Sequence, residues 1–229
     1  MQEGIIVDYR LQLDNGEQRH IGLATAEREI PDSNQILPEW TRLGFHQCSN
    51  CPLTQEQHPY CPLAANLVDL VDLCNGLVSY TEVRLTVTVP ERQIVAKTTV
   101  QRAVSSMLGL VMATCPCPHT LSFRPMARFH LPLASEEETI YRSTTMYLLA
   151  QYFLNQQGTV PDLELTGLNQ IYTNLQMINR AMAERLRHIN VTDGAINSVV
   201  LLDLLARTLP DNLDETLAQF RYLFNAYLK

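Results

Sequence analysis

The chain has 229 residues, of which 46% are hydrophobic and 18% charged, and its formal net charge is −7. That composition excludes a disordered chain, and the length is enough to bury a sizeable core. An acidic surface repels phosphate backbones, which argues against general nucleic-acid binding.

The opening residues, MQEGIIVDYR, are acidic and lack an apolar run, so no signal peptide is expected. No apolar stretch approaches the roughly 18 residues that cross a bilayer. The expected location is therefore the cytoplasm, where disulfides are rare. Six cysteines in that setting read as metal ligands, redox thiols or buried fillers. Basic residues are nearly all arginine, with Lys97 and Lys229 the only lysines. Arginine suits planar ion pairs and anion forks.

In chain order, residues 5–13 alternate apolar and polar near their end. Asp14-Asn15-Gly16 is a turn signal, and Gln18 to Ala24 returns as a second strand. Ile30 to Trp40 carries two prolines and reads as a connector with at most one helical turn. A cysteine-rich loop follows. Pro62 opens a helix on which Leu63, Leu67, Leu70, Val71 and Cys74 recur at helical spacing, and Asn75-Gly76 stops it. Cys61 falls at its N-cap, with proline at the first helical position. Glu82 to Val89 and Gln93 to Val100 form a second hairpin. Thr99 can cap a helix over Val100 to Ala113.

Residues 115–132 show no period and read as irregular. Ser135 and Glu138 form a capping box, and helices are expected over 136–156, 165–188, 193–208 and 211–228, with Pro210 as a break. Strands first and helices afterwards predict an α+β fold: an N-terminal antiparallel sheet of hairpins with two helices, then about four C-terminal helices. The corresponding division is 1–132 and 133–229, with the two parts free to pack as one domain.

Four of the six cysteines precede a proline: Cys51, Cys61, Cys115 and Cys117. Cys48 and Cys51 lie in a Cys-x-x-Cys turn that lets two thiolates face one metal. Cys61 follows ten residues later, and Cys115 and Cys117 flank a proline far along the chain. Cys74, on an apolar helical face, reads as a core filler. Three readings compete for the other five. They are unligated thiols, ligands of a structural Zn2+, or ligands of an iron–sulfur cluster, with 4Fe-4S favoured. Proline after a ligand removes the next backbone N–H, which disfavours an ordinary zinc knuckle and fits a cluster loop better. His46, His58 and His119 flank the same loops as further ligands, donors to sulfur or plain loop residues.

A second constellation is Arg124, Arg128 and His130, interleaved with apolar residues. In an extended stretch they would share one face. They could bind a small anion, or brace Glu136–Glu138 at the next helix start, where the helix dipole already favours carboxylates. No nucleophile elbow, P-loop, dinucleotide fingerprint or His-Glu-x-x-His motif occurs.

The run TTVQRAVSSMLGLVMATCPCPHTLSFRPMARFHLPLASEEETIYRSTTMYLLAQYF resembles an uncharacterised bacterial protein family. The likeness extends through Cys48-x-x-Cys51-Pro52-Leu53, Cys61-Pro62 and the segment Arg124 to Pro132. It transfers no activity. It implies that Cys117 rather than Cys115 is the matching position in the second loop, and so a principal ligand set of Cys48, Cys51, Cys61 and Cys117 with Cys115 as an extra. The expected function is a metal-binding protein whose cluster serves redox chemistry or sensing. The alternatives are a zinc-stabilised interaction module that dimerises through the C-terminal helices, chiefly 165–188, and an enzyme using the arginine–histidine site.

Overall fold

A computed structural model describes residues 4–29, 36–189 and 193–228; in the last helix the side chains of residues 205, 208–212 and 214 are outside that description. Two hairpins make the sheet. Strand β1 (Ile6–Leu13) pairs with β2 (Gln18–Ala24), and β3 (Glu82–Val89) pairs with β4 (Arg92–Thr99). The hairpins join edge to edge through β1 and β3, giving an antiparallel order β2-β1-β3-β4. The strict alternation in the sequence causes this arrangement. Val7, Tyr9, Leu11 and Leu13 face inward with Val83, Leu85 and Val87, while the intervening side chains are mostly exposed or half-buried.

Helices complete the chain: α1 (Pro62–Asn66), α2 (Val68–Leu73), α3 (Val100–Thr114), α4 (Arg124–Arg128), α5 (Glu136–Gln156), α6 (Thr166–His188) and α7 (Asp193–Phe220), with α2 and α3 against the strands. The buried apolar helix α3 lies among the sheet, α4 and α7. One hydrophobic core runs from Val7 on β1 to Phe220 on α7, so sheet and C-terminal helices share it. The start of α7 is pinned to the loop before β3. The Asp193 carboxylate accepts from the Ser79 amide and hydroxyl, both at 2.9 Å. Gly194 is needed there, because a Cβ would lie 2.8 Å from the Leu77 carbonyl oxygen.

Several expectations are refined. The single helix expected after Cys61 is two short ones meeting at Leu67. Thr99 occupies the N-cap of α3, but its hydroxyl makes no capping bond and is buried without a partner among the described residues. The β4 backbone leads straight into the helix and Val100 N–H bonds to the Thr81 carbonyl instead. The capping box at Ser135 and Glu138 is present, with both reciprocal bonds. The segment 115–132 holds a 3-10 turn, Leu121–Phe123, and α4. The expected break at position 210 is absent, and α7 continues through it. A proline removes one helical hydrogen bond, and α7 as a whole packs on α6 and α3. The connector over 30–40 lies largely outside the described residues; its described end is the 3-10 turn Glu39–Thr41.

Helix α6 buries its apolar side chains, including Leu168, Ile178, Met182 and Leu186, within the chain's own core. That face is not free for a partner. The exposed large apolar side chains are prominent on α5 instead, among them Tyr141, Leu149, Tyr152 and Phe153. Among the described residues no helix is long and apolar enough to cross a membrane.

Candidate functional site

Three segments bring five cysteines toward one another. The first is the turn Cys48–Cys51, closed by the Cys51 N–H on the Cys48 carbonyl at 3.0 Å. The second is the N-cap of α1, where Cys61 donates its N–H to the Thr41 carbonyl at 2.7 Å and Pro62 starts the helix. The third is the C-cap of α3 at Cys115, followed by Cys117. A side-chain bond stitches the outer two segments together: His119 Nε2 lies 2.7 Å from the Asn50 carbonyl oxygen. The first loop is also tied to α6, through Asn50 Nδ2 donating to Asn174 Oδ1 at 3.1 Å.

Cys61 and Cys115 are buried, and Cys48, Cys51 and Cys117 are half-buried. Burial and neighbouring sulfurs act on three of these thiols in the same direction. Burial pushes the Cys48 thiol up to about 12, and the sulfurs of Cys61 and Cys51 push it further in the same direction. Burial likewise raises Cys117 to about 12, aided by Cys115, Cys61 and Cys48. Cys115 is raised to about 11, again chiefly by burial, with Cys61 contributing. Like charges close together disfavour ionisation, and low dielectric amplifies this. Cys74 ends α2, and burial raises its thiol to about 12.

The prolines shape the donors. Pro116 and Pro118 have no N–H to offer the sulfur that precedes each of them. The amide two positions on takes over: the Cys117 N–H serves the Cys115 sulfur, and the His119 N–H serves the Cys117 sulfur. Cys115 also donates to the Met112 carbonyl at 3.3 Å and lies 3.5 Å from the Thr120 hydroxyl.

The residue that the cysteine pattern does not reveal is Arg185, on α6. It is 1% exposed. Its Nη1 donates to the carbonyls of Trp40 and Arg42 at 2.6 and 2.8 Å, and its Nη2 to that of Leu43 at 3.0 Å. Its Nε has no partner among the described residues, and none of their carboxylates pairs with it. Burial lowers its pKa, while Cys61, Cys48 and Cys51 act to raise it. A buried guanidinium costs several kcal/mol to desolvate unless an anion balances it. The groups positioned to become that anion are these sulfurs. The sequence does carry a signal: Arg185 stands three positions after Met182 and seven after Ile178, on the apolar stripe of an otherwise ordinary amphipathic helix.

As placed, no three His, Cys, Asp or Glu side chains among the described residues are positioned to hold a metal ion. Of the flanking histidines, His119 joins the loops, whereas His46 stacks on His188 with ring centroids 4.2 Å apart.

The arginine–histidine constellation does not lie along an extended strand. Arg124 to Arg128 form helix α4, begun by the proline at 125. Arg124 pairs with Glu27, far away in sequence, and not with the glutamates at the start of α5. Arg128 is exposed with its guanidinium 5.8 Å from the Phe129 ring centroid. His130 turns inward and bonds the Tyr9 hydroxyl. Burial, and secondarily Arg142, depresses its pKa to about 3, so it is neutral. Helical geometry thus separates three side chains that an extended backbone would have aligned.

Fold and site together define an α+β protein in which five cysteines from three segments gather beside a buried arginine. The chain belongs to the family described as a domain of unknown function (DUF6901), whose model matches residues 7–225. No curated protein and no solved structure matches it.

Proposed function

We propose that this protein binds an iron–sulfur cluster through its gathered cysteines, with a redox or sensing role. The observation that carries the reading is Arg185: a buried cation without a carboxylate, in the field of Cys48, Cys51 and Cys61. Neutral thiols leave that charge uncompensated. A thiolate-ligated centre carries net negative charge and compensates it. Cys48, Cys51, Cys61 and Cys117 are the proposed ligands. Cys115 is already engaged with Met112 and Thr120, and so supports the loop in preference to a ligand role. The amides at positions 117 and 119 would supply the N–H···S bonds that tune such a centre.

The test is anaerobic purification followed by metal and sulfide analysis and a visible spectrum. The expected preparation is brown, with iron and acid-labile sulfide and broad visible absorption. Cys48→Ser and Cys117→Ser should each bleach it, and chelation should lower the thermal midpoint because ligand closure is coupled to folding. A colourless protein with one zinc per chain would replace the cluster with a structural Zn2+ site. Protein free of either metal, with both serine variants as stable as wild type, would end the metal reading.

A further inference from the structure

A cavity of about 380 Å3 lies between α3, the start of α5, α6 and α7. That is within the range of small-molecule sites. Its walls are mainly apolar, with Leu110, Met112, Phe123 and Leu175 among them. Two features mark it as built for an occupant.

The first is Gly109, in the middle of α3. A Cβ there would meet nothing within 4 Å. No close backbone approach requires a glycine at this point, and glycine weakens a helix interior relative to alanine. Its absent side chain leaves the cavity open.

The second is charge. Arg102 and Arg142 line the cavity, against the single carboxylate of Glu136. Among the described residues neither arginine forms an ion pair. Arg142 is held in place by Nη2 bonds to the carbonyls of Met126 and Phe129, at 3.2 and 2.8 Å. Glu138 lies in its field without pairing directly with it, and the Glu138 carboxylate accepts from the Ser135 amide. His130, in the same wall, is bonded to Tyr9 and adds no charge. The guanidinium is therefore oriented in advance, with donors left over for an anion.

We infer that this cavity binds a small amphipathic monocarboxylate, its apolar body beside Gly109 and its carboxylate on Arg142. Arg142, fixed by two carbonyls and without an ion pair among the described residues, is the cation for the ligand's single negative charge. An apolar body uses the walls, and a guanidinium fork suits a carboxylate. This inference stands independently of the metal reading.

The test is calorimetric titration of the full chain with decanoate, and with methyl decanoate as the uncharged control. Decanoate should bind saturably, once per chain, and the ester at least tenfold more weakly. Arg142→Gln should weaken decanoate at least tenfold. Gly109→Leu fills the space without touching the cation; it should abolish binding while leaving the thermal midpoint at or above that of wild type. No saturable binding of decanoate at millimolar concentration would overturn the proposal. So would equal affinity for acid and ester, or unchanged binding in Gly109→Leu. Because the ester comparison and Gly109→Leu do not depend on Arg142, failure of the Arg142 variant to fold leaves the test intact.

Discussion

At Cys48 two effects oppose each other. Burial and the sulfurs of Cys61 and Cys51 hold the thiol protonated, while Arg185 favours the thiolate. Removing the guanidinium should therefore raise the Cys48 pKa further. In the metal-free chain, Arg185→Met should slow alkylation of Cys48 at about pH 8.5, near the ordinary thiol pKa, and Arg185→Lys, which keeps the charge, should slow it less. Mass spectrometry of timed iodoacetamide reactions would read this directly, and faster alkylation in Arg185→Met would contradict the role assigned to the arginine. His130 offers a second check at the same scale. Its pKa is about 3 in the fold against an ordinary value of 6.5. The unfolded chain thus takes up a proton below pH 6.5 that the folded chain refuses. Stability falls as pH drops from about 6.5 toward 3, with a slope approaching about 1.4 kcal/mol per pH unit. Urea denaturation at pH 7.5 and 5.5 should show a loss about 1.4 kcal/mol larger in wild type than in His130→Gln, within the standard linkage relation.

Among the elements, α5 illustrates how local chemistry sets a boundary. Ser135 Oγ accepts from the Glu138 amide at 3.1 Å, and the Glu138 carboxylate accepts from the Ser135 amide at 2.7 Å. Both bonds satisfy helix-end donors that would otherwise lack partners. Ser135→Ala should cost about 1 kcal/mol in chemical denaturation, without altering the sheet. Helix α4 shows the opposite case. Its five residues carry no long periodic pattern, so nothing local distinguishes them from loop, and its formation depends on packing against α3. Its helical backbone is what separates Arg124 from His130. Helix α7 makes the same point at larger scale: it continues through a proline that local rules treat as a stop, in a helix packed on α6 and α3.

For the whole molecule, the shared core explains why the cysteine segments meet. The turn at Cys48 sits between the sheet hairpins in sequence, and Cys115 ends the helix that follows the second hairpin. Packing α3 on the sheet carries that helix end toward α1, while α6 brings Arg185 beneath the turn from more than a hundred residues away. The C-terminal helices thus complete the site begun by the N-terminal loops. The same packing of α3 against α7, with a glycine at position 109, creates the cavity lined by Arg142 and Asn179.

Both hairpins, the antiparallel class, the capping box and most helix spans were legible in the residues. Each has a local cause: a period of two, a turn dipeptide, a serine three residues before a glutamate, or proline after cysteine. Three features were not. They are the bonding of the Arg185 guanidinium to the carbonyls of Trp40, Arg42 and Leu43, the engagement of Cys115 with Met112 and Thr120, and the pairing of Arg124 with Glu27 in place of an anion. These depend on which distant surfaces meet, and no local period encodes that. Tertiary packing also decided that His130 is neutral and that Arg142, a residue with no motif around it, is the cation facing the cavity. A side chain's charge and partners follow from its final surroundings, and those exist only once the core has closed.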